Sequence, residues 1–227
     1  MQTYLVTGAA QGLGRALTIE LVKQGRQVIM LDKELKALNL LYDELKTDQV
    51  ALYPLDLLGA NIDHYHDLQT TLTETYGKLD GVILNAAILP AFTPLEHFDY
   101  MQWYEVVHTN LNANFHLIQN TLPLLKASEH GRLLAVLDES ITSHPAYYGA
   151  YGVAKAGLEQ LMATLGAELK NTDIEVYNAK LEAFATEARG RLFPGENPLD
   201  LPSAAQMAQR ILNTMLSNES HLSITQL

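Results

Sequence analysis

The stretch Thr7-Gly8-Ala9-Ala10-Gln11-Gly12-Leu13-Gly14 follows a short apolar run, Tyr4-Leu5-Val6, and precedes a segment with apolar residues at helical spacing. Glycines at such a place permit a tight turn and a close approach of the backbone to a bound pyrophosphate. A helix that begins here offers unpaired amide groups and the positive end of its dipole to that anion. The stretch therefore predicts a strand, a phosphate-binding loop and a helix. The alternative is a plain strand-helix turn that is rich in small residues.

The rest of the chain continues the alternation between short apolar runs and longer periodic segments. Apolar runs predict five further strands, at 28–31, 50–55, 81–84, 133–137 and 174–179. Strands that alternate with helices predict a doubly wound Rossmann-type α/β fold, a three-layer sandwich with a central parallel sheet. We expect one domain over residues 1–227, because no repeat or linker is visible.

Four finer features of the fold are predicted as well. A long helical stretch is expected from about 98 to 125, and a capping box at Ser203 and Gln206 begins the last helix. The segment 187–202 holds two glycines and three prolines, so we expect a mobile loop there. A short final strand is expected at 222–225.

Composition narrows the classes of partner. The net charge of -11 argues against nucleic acid and against anionic membrane surfaces. The chain has no cysteine and no apolar run of the length of about 18 residues that spans a membrane. The first residues lack the pattern of a secretory signal, so we expect a cytoplasmic protein that binds a small molecule. We expect no metal site, since His64 and His66 have no partner at ligand spacing and suit a loop or a helix cap better.

Asp32 ends the second predicted strand. An acidic side chain at this place can accept hydrogen bonds from the adenosine ribose and would repel a 2'-phosphate. Gln11 supplies no charge for such a phosphate, although Lys33 softens the repulsion. The sequence therefore favours NAD as the cofactor over NADP.

Tyr151 and Lys155 stand four residues apart at the start of a strongly amphipathic segment, which places them on one helix face. The pKa of a free tyrosine, about 10, is too high for a base at neutral pH, and a nearby ammonium lowers it. Such a pair can exchange a proton with an alcohol or a carbonyl. A surface tyrosine beside a solvated lysine is the alternative.

Several motifs occur in one order along this alternating chain: the loop 7–14, Asp56, the run 84–87, Asn110 and Tyr151-Gly152-Val153-Ala154-Lys155. Together they resemble the short-chain dehydrogenase/reductase family in its compact single-domain form. The resemblance covers essentially the whole chain and weakens after Tyr177. It implies an NAD(P)-dependent oxidoreductase in which Tyr151 is the acid/base, Lys155 binds the nicotinamide ribose, and Asn110 holds a water that links the lysine to solvent.

The resemblance also implies which residues contact the cofactor. Asp56 and Leu57 would line the adenine pocket, and Thr186 would reach the nicotinamide carboxamide. The remaining implied contacts lie in the glycine loop and after the fourth strand: Thr7, Gly8, Gln11, Gly12, Leu13, Gly14, Asn85, Ala86 and Ala87. A homodimer or homotetramer is implied as well, through the helices near 98–125 and 151–170.

The sequence departs from the family at the position of the active-site serine. Counting without gaps from Gly131 to Tyr151 places Asp138 there. A carboxylate beside the tyrosine would raise the pKa of the tyrosine and oppose catalysis. Three outcomes stay open: a protonated Asp138 that donates, a shifted strand end at which Ser140 or Ser143 serves, or a site with weak activity or none.

Two further departures concern the nicotinamide half of the site. The run after the fourth strand reads Leu84-Asn85-Ala86-Ala87, and Leu181-Glu182 stands where the family has a proline-glycine pair. Glu182 would add a negative charge near the nicotinamide. The sequence therefore supports two functions. One is hydride transfer between a nicotinamide and a secondary alcohol or ketone, and the other is a dinucleotide-binding sensor or structural protein with little turnover.

Overall fold

A computed structural model describes residues 1–217 of the chain, so the predicted strand at 222–225 lies outside the described residues. Six strands form one sheet in the order β3-β2-β1-β4-β5-β6, and every neighbouring pair is parallel. The strands are β1 (Thr3–Thr7), β2 (Gln27–Asp32), β3 (Val50–Pro54), β4 (Gly81–Leu84), β5 (Arg132–Asp138) and β6 (Glu175–Leu181). The predicted parallel Rossmann-type sheet is confirmed.

Eight α-helices flank the sheet within the described residues. They are α1 (Gly12–Lys23), α2 (Leu35–Leu45), α3 (Ile62–Tyr76), α4 (Tyr100–Val107), α5 (Ala113–Lys126), α6 (Gly149–Leu169), α7 (Glu187–Leu192) and α8 (Ala204–Leu216). Successive side chains of a strand point to opposite faces, and β1 is buried on both. Tyr4 and Val6 therefore join a core with α1, α2 and α8, while Leu5 joins a second core with α3, α5 and α6.

The strand order changes direction at β1, whose neighbours are β2 and β4. Ligands of such sheets bind in the crevice at the carboxyl ends of the two strands that flank this point. Gly81 keeps β1 and β4 close, because a Cβ at Gly81 would lie 2.2 Å from the ring of Tyr4. The crevice is thus placed at the carboxyl ends of β1 and β4.

At the amino ends of the strands, a buried carboxylate, that of Asp80, joins several segments; Asp80 is 3% exposed. Its carboxylate accepts hydrogen bonds from the Thr3 amide at 2.8 Å, the Ser128 hydroxyl at 2.7 Å and the Lys78 ammonium at 3.0 Å. Burial by itself would raise the pKa of Asp80, but the hydrogen bonds and the charge of Lys78 outweigh burial and lower it. This carboxylate therefore ties the start of β1 to the turns before β4 and β5.

The long helical stretch that was expected from about 98 to 125 is confirmed. It consists of α4 and α5 joined by a π-helical turn, His108–Asn112, where one extra residue enters the helix. The segment 187–202 contains α7, whose amino end is capped by Thr186, and a 3-10 turn over Pro198–Asp200, so the prediction of a loop is wrong at these two places. The predicted caps are confirmed: Ser203 and Gln206 form a capping box on α8, and His64 completes one on α3.

No helix within residues 1–217 is both long enough and apolar enough to cross a membrane. In the same residues, no group of three or more histidine and acidic side chains is arranged to hold a metal ion.

Candidate active site

The glycine loop leaves the amino end of α1 open to an anion. Gln11 precedes the helix but makes no side-chain cap, and the first turn holds no acidic residue. Gly12 has a φ of +53°, and a Cβ at this residue would project into open space. Only glycine adopts this conformation readily, and the amide groups of the first turn have no side-chain acceptor. The loop therefore has the form of a cradle for phosphate oxygens.

The loop is also fixed tightly to the carboxyl end of β4. The Thr7 hydroxyl accepts hydrogen bonds from the amides of Asn85 and Ala86, both at 3.0 Å. The Asn85 side-chain amide donates to the Thr7 carbonyl at 3.0 Å and to the Gly8 carbonyl at 3.3 Å. A Cβ at Gly14 would lie 2.0 Å from the Gly8 carbonyl oxygen, so no larger residue fits. These contacts hold the loop in one shape.

Asp32 is 8% exposed, and both of its carboxylate oxygens accept hydrogen bonds from the backbone. One oxygen accepts from the Ala10 amide at 3.0 Å and the other from the Glu34 amide at 3.1 Å. The prediction that Asp32 contacts the adenosine ribose stays a prediction. Its carboxylate already holds the glycine loop against the end of β2.

The other residues expected around the cofactor lie at the same edge of the sheet but differ in exposure. Asp56 is exposed and accepts from the Leu58 amide at 3.1 Å, whereas Leu57 is buried in the second core. Leu13 is buried under the loop, and Ala87 is exposed. Thr186 uses its hydroxyl to cap α7 at the Arg189 amide, 3.0 Å away. Their contacts with a cofactor stay predictions.

The structure brings Tyr151 and Asp138 together. Asp138 is the last residue of β5, and its Oδ2 lies 3.3 Å from the Tyr151 hydroxyl, which donates to it. The hydroxyl of Ser140 and the Ser140 amide donate to the other carboxylate oxygen. The Lys155 ammonium donates to the carbonyl of Val136 at 2.7 Å. The position that was inferred for Asp138 by counting residues thus matches its contact with the tyrosine.

The electrostatics of this cluster favour a neutral tyrosine. Burial raises the pKa of Tyr151 well above 10, and the charge and hydrogen bond of Asp138 raise it further. Burial lowers the pKa of Lys155 to about 8, although the negative charge of Asp138 opposes this effect. At neutral pH the cluster therefore contains a phenol, an ammonium and the carboxyl group that faces both.

Asn110 lies in the π-helical turn and is completely buried. Its side chain accepts from the Ile88 amide at 2.7 Å and donates to the Ile88 carbonyl at 2.8 Å. Through these two hydrogen bonds, the side chain joins the segment after β4 to the π-helical turn. The water-holding role stays a prediction.

Three aromatic side chains extend from Tyr151 along the site. Tyr148 lies 6.1 Å from Tyr151 between ring centres, Phe92 stacks on Tyr148 at 4.7 Å, and Phe193 meets Phe92 edge-on at 5.3 Å. All three are partly exposed. We call Phe92, Tyr148 and Phe193 the aromatic wall. Phe92 and Phe193 are not identifiable from sequence, because they come from separate segments after β4 and β6.

The profile of the short chain dehydrogenase family matches residues 2–197. The Escherichia coli oxidoreductase YciK is 30% identical over 206 residues, which cover 89% of this chain and 81% of YciK. A short-chain dehydrogenase from Shigella flexneri, solved in complex with NADP, is 28% identical with a TM-score of 0.88, over 95% of this chain and 89% of that one. Another short-chain dehydrogenase, from Escherichia coli and solved in complex with NADPH, is 29% identical with a TM-score of 0.90, over 94% of this chain and 90% of that one.

These matches agree with the order of strands and with the phosphate loop at the switch point of the sheet. The chain belongs to the short-chain dehydrogenase/reductase family of oxidoreductases.

Proposed function

We propose that the chain binds a nicotinamide dinucleotide and transfers hydride between it and a small molecule. The resemblance to the family implies a secondary alcohol or ketone as that molecule. One observation carries the proposal: buried Tyr151 and Lys155 lie at the end of β5, at the same sheet edge as the open phosphate loop. When bound, the nicotinamide supplies the donor or acceptor of hydride.

The protein's own residues would orient the cofactor and move a proton. The amides of the first turn of α1 would bind the pyrophosphate, with the loop held rigid by Thr7 and Asn85. Lys155 would hold the nicotinamide ribose, with its ammonium already directed by the Val136 carbonyl. Tyr151 would exchange the proton through its hydroxyl.

The choice between NAD and NADP is open to direct measurement. The expected preference for NAD rests on Asp32, whose two carboxylate oxygens already accept backbone amides. Two related structures contain NADP or NADPH, so a preference for NAD is not supported. We propose that the site accepts a nicotinamide dinucleotide of either kind.

The first experiment is a titration of the purified protein with NADH and with NADPH, followed by calorimetry. We expect saturable binding of at least one of them, and Gly14→Ala should abolish it because its Cβ would meet the Gly8 carbonyl. A protein that binds neither cofactor would refute the proposal. The ratio of the two affinities then measures how strongly Asp32 discriminates against a 2'-phosphate.

A binding protein with little turnover is the second candidate, and the contact between Asp138 and Tyr151 favours it. A carboxylate that stabilises the neutral phenol opposes transfer of its proton. Under this alternative, the protein binds the cofactor, and Asp138→Ser raises the rate of ketone reduction from a negligible value. An Asp138→Ser variant that loses an existing activity would instead assign Asp138 a chemical role of its own.

We also propose a homo-oligomer that buries the outer face of α4 and α5. Four large apolar residues are exposed there, with exposed fractions between 45% and 69%: Tyr100, Met101, Tyr104 and Phe115. Light scattering should give a dimer or tetramer mass, and Tyr104→Glu should shift it towards the monomer. A monomeric wild-type protein would refute this assignment.

A further inference from the structure

The reacting end of the site offers hydrogen-bond acceptors where a ketone needs donors. The hydroxyl of Tyr151 donates to Asp138, and so does the hydroxyl of Ser140. An ionised carboxylate has only lone pairs to offer. A ketone oxygen gains negative charge as it is reduced. Here it would lie beside the Asp138 carboxylate and beside two hydroxyls that already donate their hydrogen bonds to that carboxylate.

Further negative charge surrounds Asp138. In the sheet, Asp138 is paired with Leu181, so Glu139 and Glu182 follow at the same edge on adjacent strands. One carboxylate oxygen of Glu139 is buried and has no hydrogen-bond partner. Lys155 is the buried ammonium in this cluster, and it donates to the Val136 carbonyl.

The Arg189 guanidinium, which lies beside the aromatic wall, is already paired with another carboxylate. The Arg189 guanidinium forms two hydrogen bonds with Glu196, each 2.7 Å long. It also lies 4.3 Å from the ring centre of Phe193. Lys180 of β6 is likewise paired, with Glu159 at 2.7 Å. The three carboxylates of Asp138, Glu139 and Glu182 therefore lie at this edge with the buried ammonium of Lys155, which donates to a backbone carbonyl. The imbalance favours a ligand that carries a positive charge.

The aromatic wall adds a preference for a planar group. Phe92 and Tyr148 are stacked with an angle of 22° between their rings, and both are partly exposed. Aromatic faces attract cations and stack on flat, unsaturated ligands. The wall ends at Tyr151, so a flat cation bound on it would reach Asp138.

We propose that the substrate is an iminium ion, that is, a protonated carbon-nitrogen double bond, whose N–H donates to Asp138. This inference rests on the hydride transfer proposed above. It names the atom bonded to the reacting carbon and replaces the proton exchange by Tyr151 that a ketone would require. The iminium carbon accepts one hydride from NADH or NADPH, and the π electron pair of the double bond moves to nitrogen. The products are a neutral secondary amine and the oxidised cofactor, so charge and electrons balance.

Reduction of an iminium ion can proceed while Tyr151 stays in its neutral form. The substrate brings its own proton, so Tyr151 does not have to ionise during the step. Asp138 stabilises the positive charge of the iminium before transfer, and Tyr151 keeps the carboxylate in place by its hydrogen bond. Asp138 therefore acts on the nitrogen, and Tyr151 positions Asp138.

A binding experiment tests the charge preference without turnover. The probes are 1,2,3,4-tetrahydroisoquinoline, a flat-ringed secondary ammonium at neutral pH, and isochroman, which has oxygen in place of the N–H group. We expect the ammonium to bind wild-type protein at least about tenfold more tightly than isochroman, as a charge-assisted hydrogen bond implies. Asp138→Asn should remove this difference. Asp173→Asn, an exposed carboxylate before β6 at the opposite edge, is the matched control and should keep it.

A turnover experiment tests the reaction with the holoenzyme. With NADPH or NADH, wild-type protein should reduce 3,4-dihydroisoquinoline in preference to 1-tetralone, and Asp138→Ser should reverse that order. Faster reduction of the ketone by the wild type, equal affinity for the two binding probes, or no binding of the ammonium probe would each overturn the iminium proposal. A protein that binds neither cofactor would refute the proposed oxidoreductase function, and the binding probes would still decide the charge preference.

Discussion

Replacement of Lys155 by methionine should make the protein without its cofactor more stable at neutral pH. Lys155 is 4% exposed, and burial lowers its pKa from 10.5 to about 8. A unit of pKa corresponds to about 1.4 kcal/mol, so the buried ammonium destabilises the fold by about 3 kcal/mol at pH 7. The variant also loses the hydrogen bond to the Val136 carbonyl, worth about 1 kcal/mol. A net gain of about 2 kcal/mol in the free energy of unfolding follows.

The difference in stability between Lys155→Met and the wild type depends on pH. Between about pH 8 and pH 10.5 the unfolded chain still holds the lysine proton and the folded protein has released it, so wild-type stability rises with pH. The advantage of Lys155→Met should therefore be complete below pH 8 and disappear as the pH approaches 10.5. Urea unfolding followed by circular dichroism at several pH values measures it. Lys170→Met, at an exposed position that ends the same helix, is the control. A variant less stable than wild type at pH 7, or a difference that does not change with pH, would refute the reasoning.

Three further predictions follow from the contacts of the site and the sheet. Asp138→Asn should lower the pH at which Tyr151 ionises, because at 3.3 Å and an effective dielectric constant of about 20 the two negative charges repel by about 5 kcal/mol. The ultraviolet absorbance of the phenolate, taken as the difference from Tyr151→Phe, measures this, and an unchanged titration would contradict it. Gly14→Ala should destabilise the fold by about 1–3 kcal/mol, whereas Gly166→Ala, where a Cβ meets only Val176 at 3.8 Å, should stabilise α6 by up to about 1 kcal/mol. Equal unfolding midpoints for these two variants would contradict the packing at Gly14. Asp80→Asn should lower the free energy of unfolding by about 2 kcal/mol at pH 7. Because the pKa of Asp80 is lowered in the fold, its contribution is lost as the pH falls through the folded value. The difference from wild type should therefore shrink in acid, and a loss that persists unchanged at low pH would argue against this role.

The sheet and the glycine turn between β1 and α1 could be predicted because their signals are local. Buried parallel strands are continuous apolar runs, and every predicted strand among the described residues was found. The place of Asp138 was predicted by counting residues from Gly131 to Tyr151, and the structure has it as the last residue of β5, in contact with Tyr151.

The features that sequence did not predict depend on contacts between distant segments. The aromatic wall joins Phe92, Tyr148 and Phe193, whose spacing along the chain carries no periodicity. The inward position of Asp32 reflects the hydrogen bonds that its carboxylate accepts from the amides of Ala10 and Glu34. These contacts depend on the shape of the folded loop rather than on residue type.

Because of the π-helical turn, the side of α4 that packs against Tyr151 depends on the number of residues in that turn. Before the turn, Val106 of α4 packs with Ala150 and Tyr151; after it, α5 packs on α3. Each residue of a helix adds a rotation of about 100°. Deletion of a single residue within 108–112 would restore an uninterrupted helix and turn α4 by that angle relative to α5. Val106 would then face away from Tyr151, although neither Tyr151 nor any residue that contacts its hydroxyl had been replaced. Length variation in this one turn can therefore change the packing around Tyr151 and leave the glycine loop unchanged.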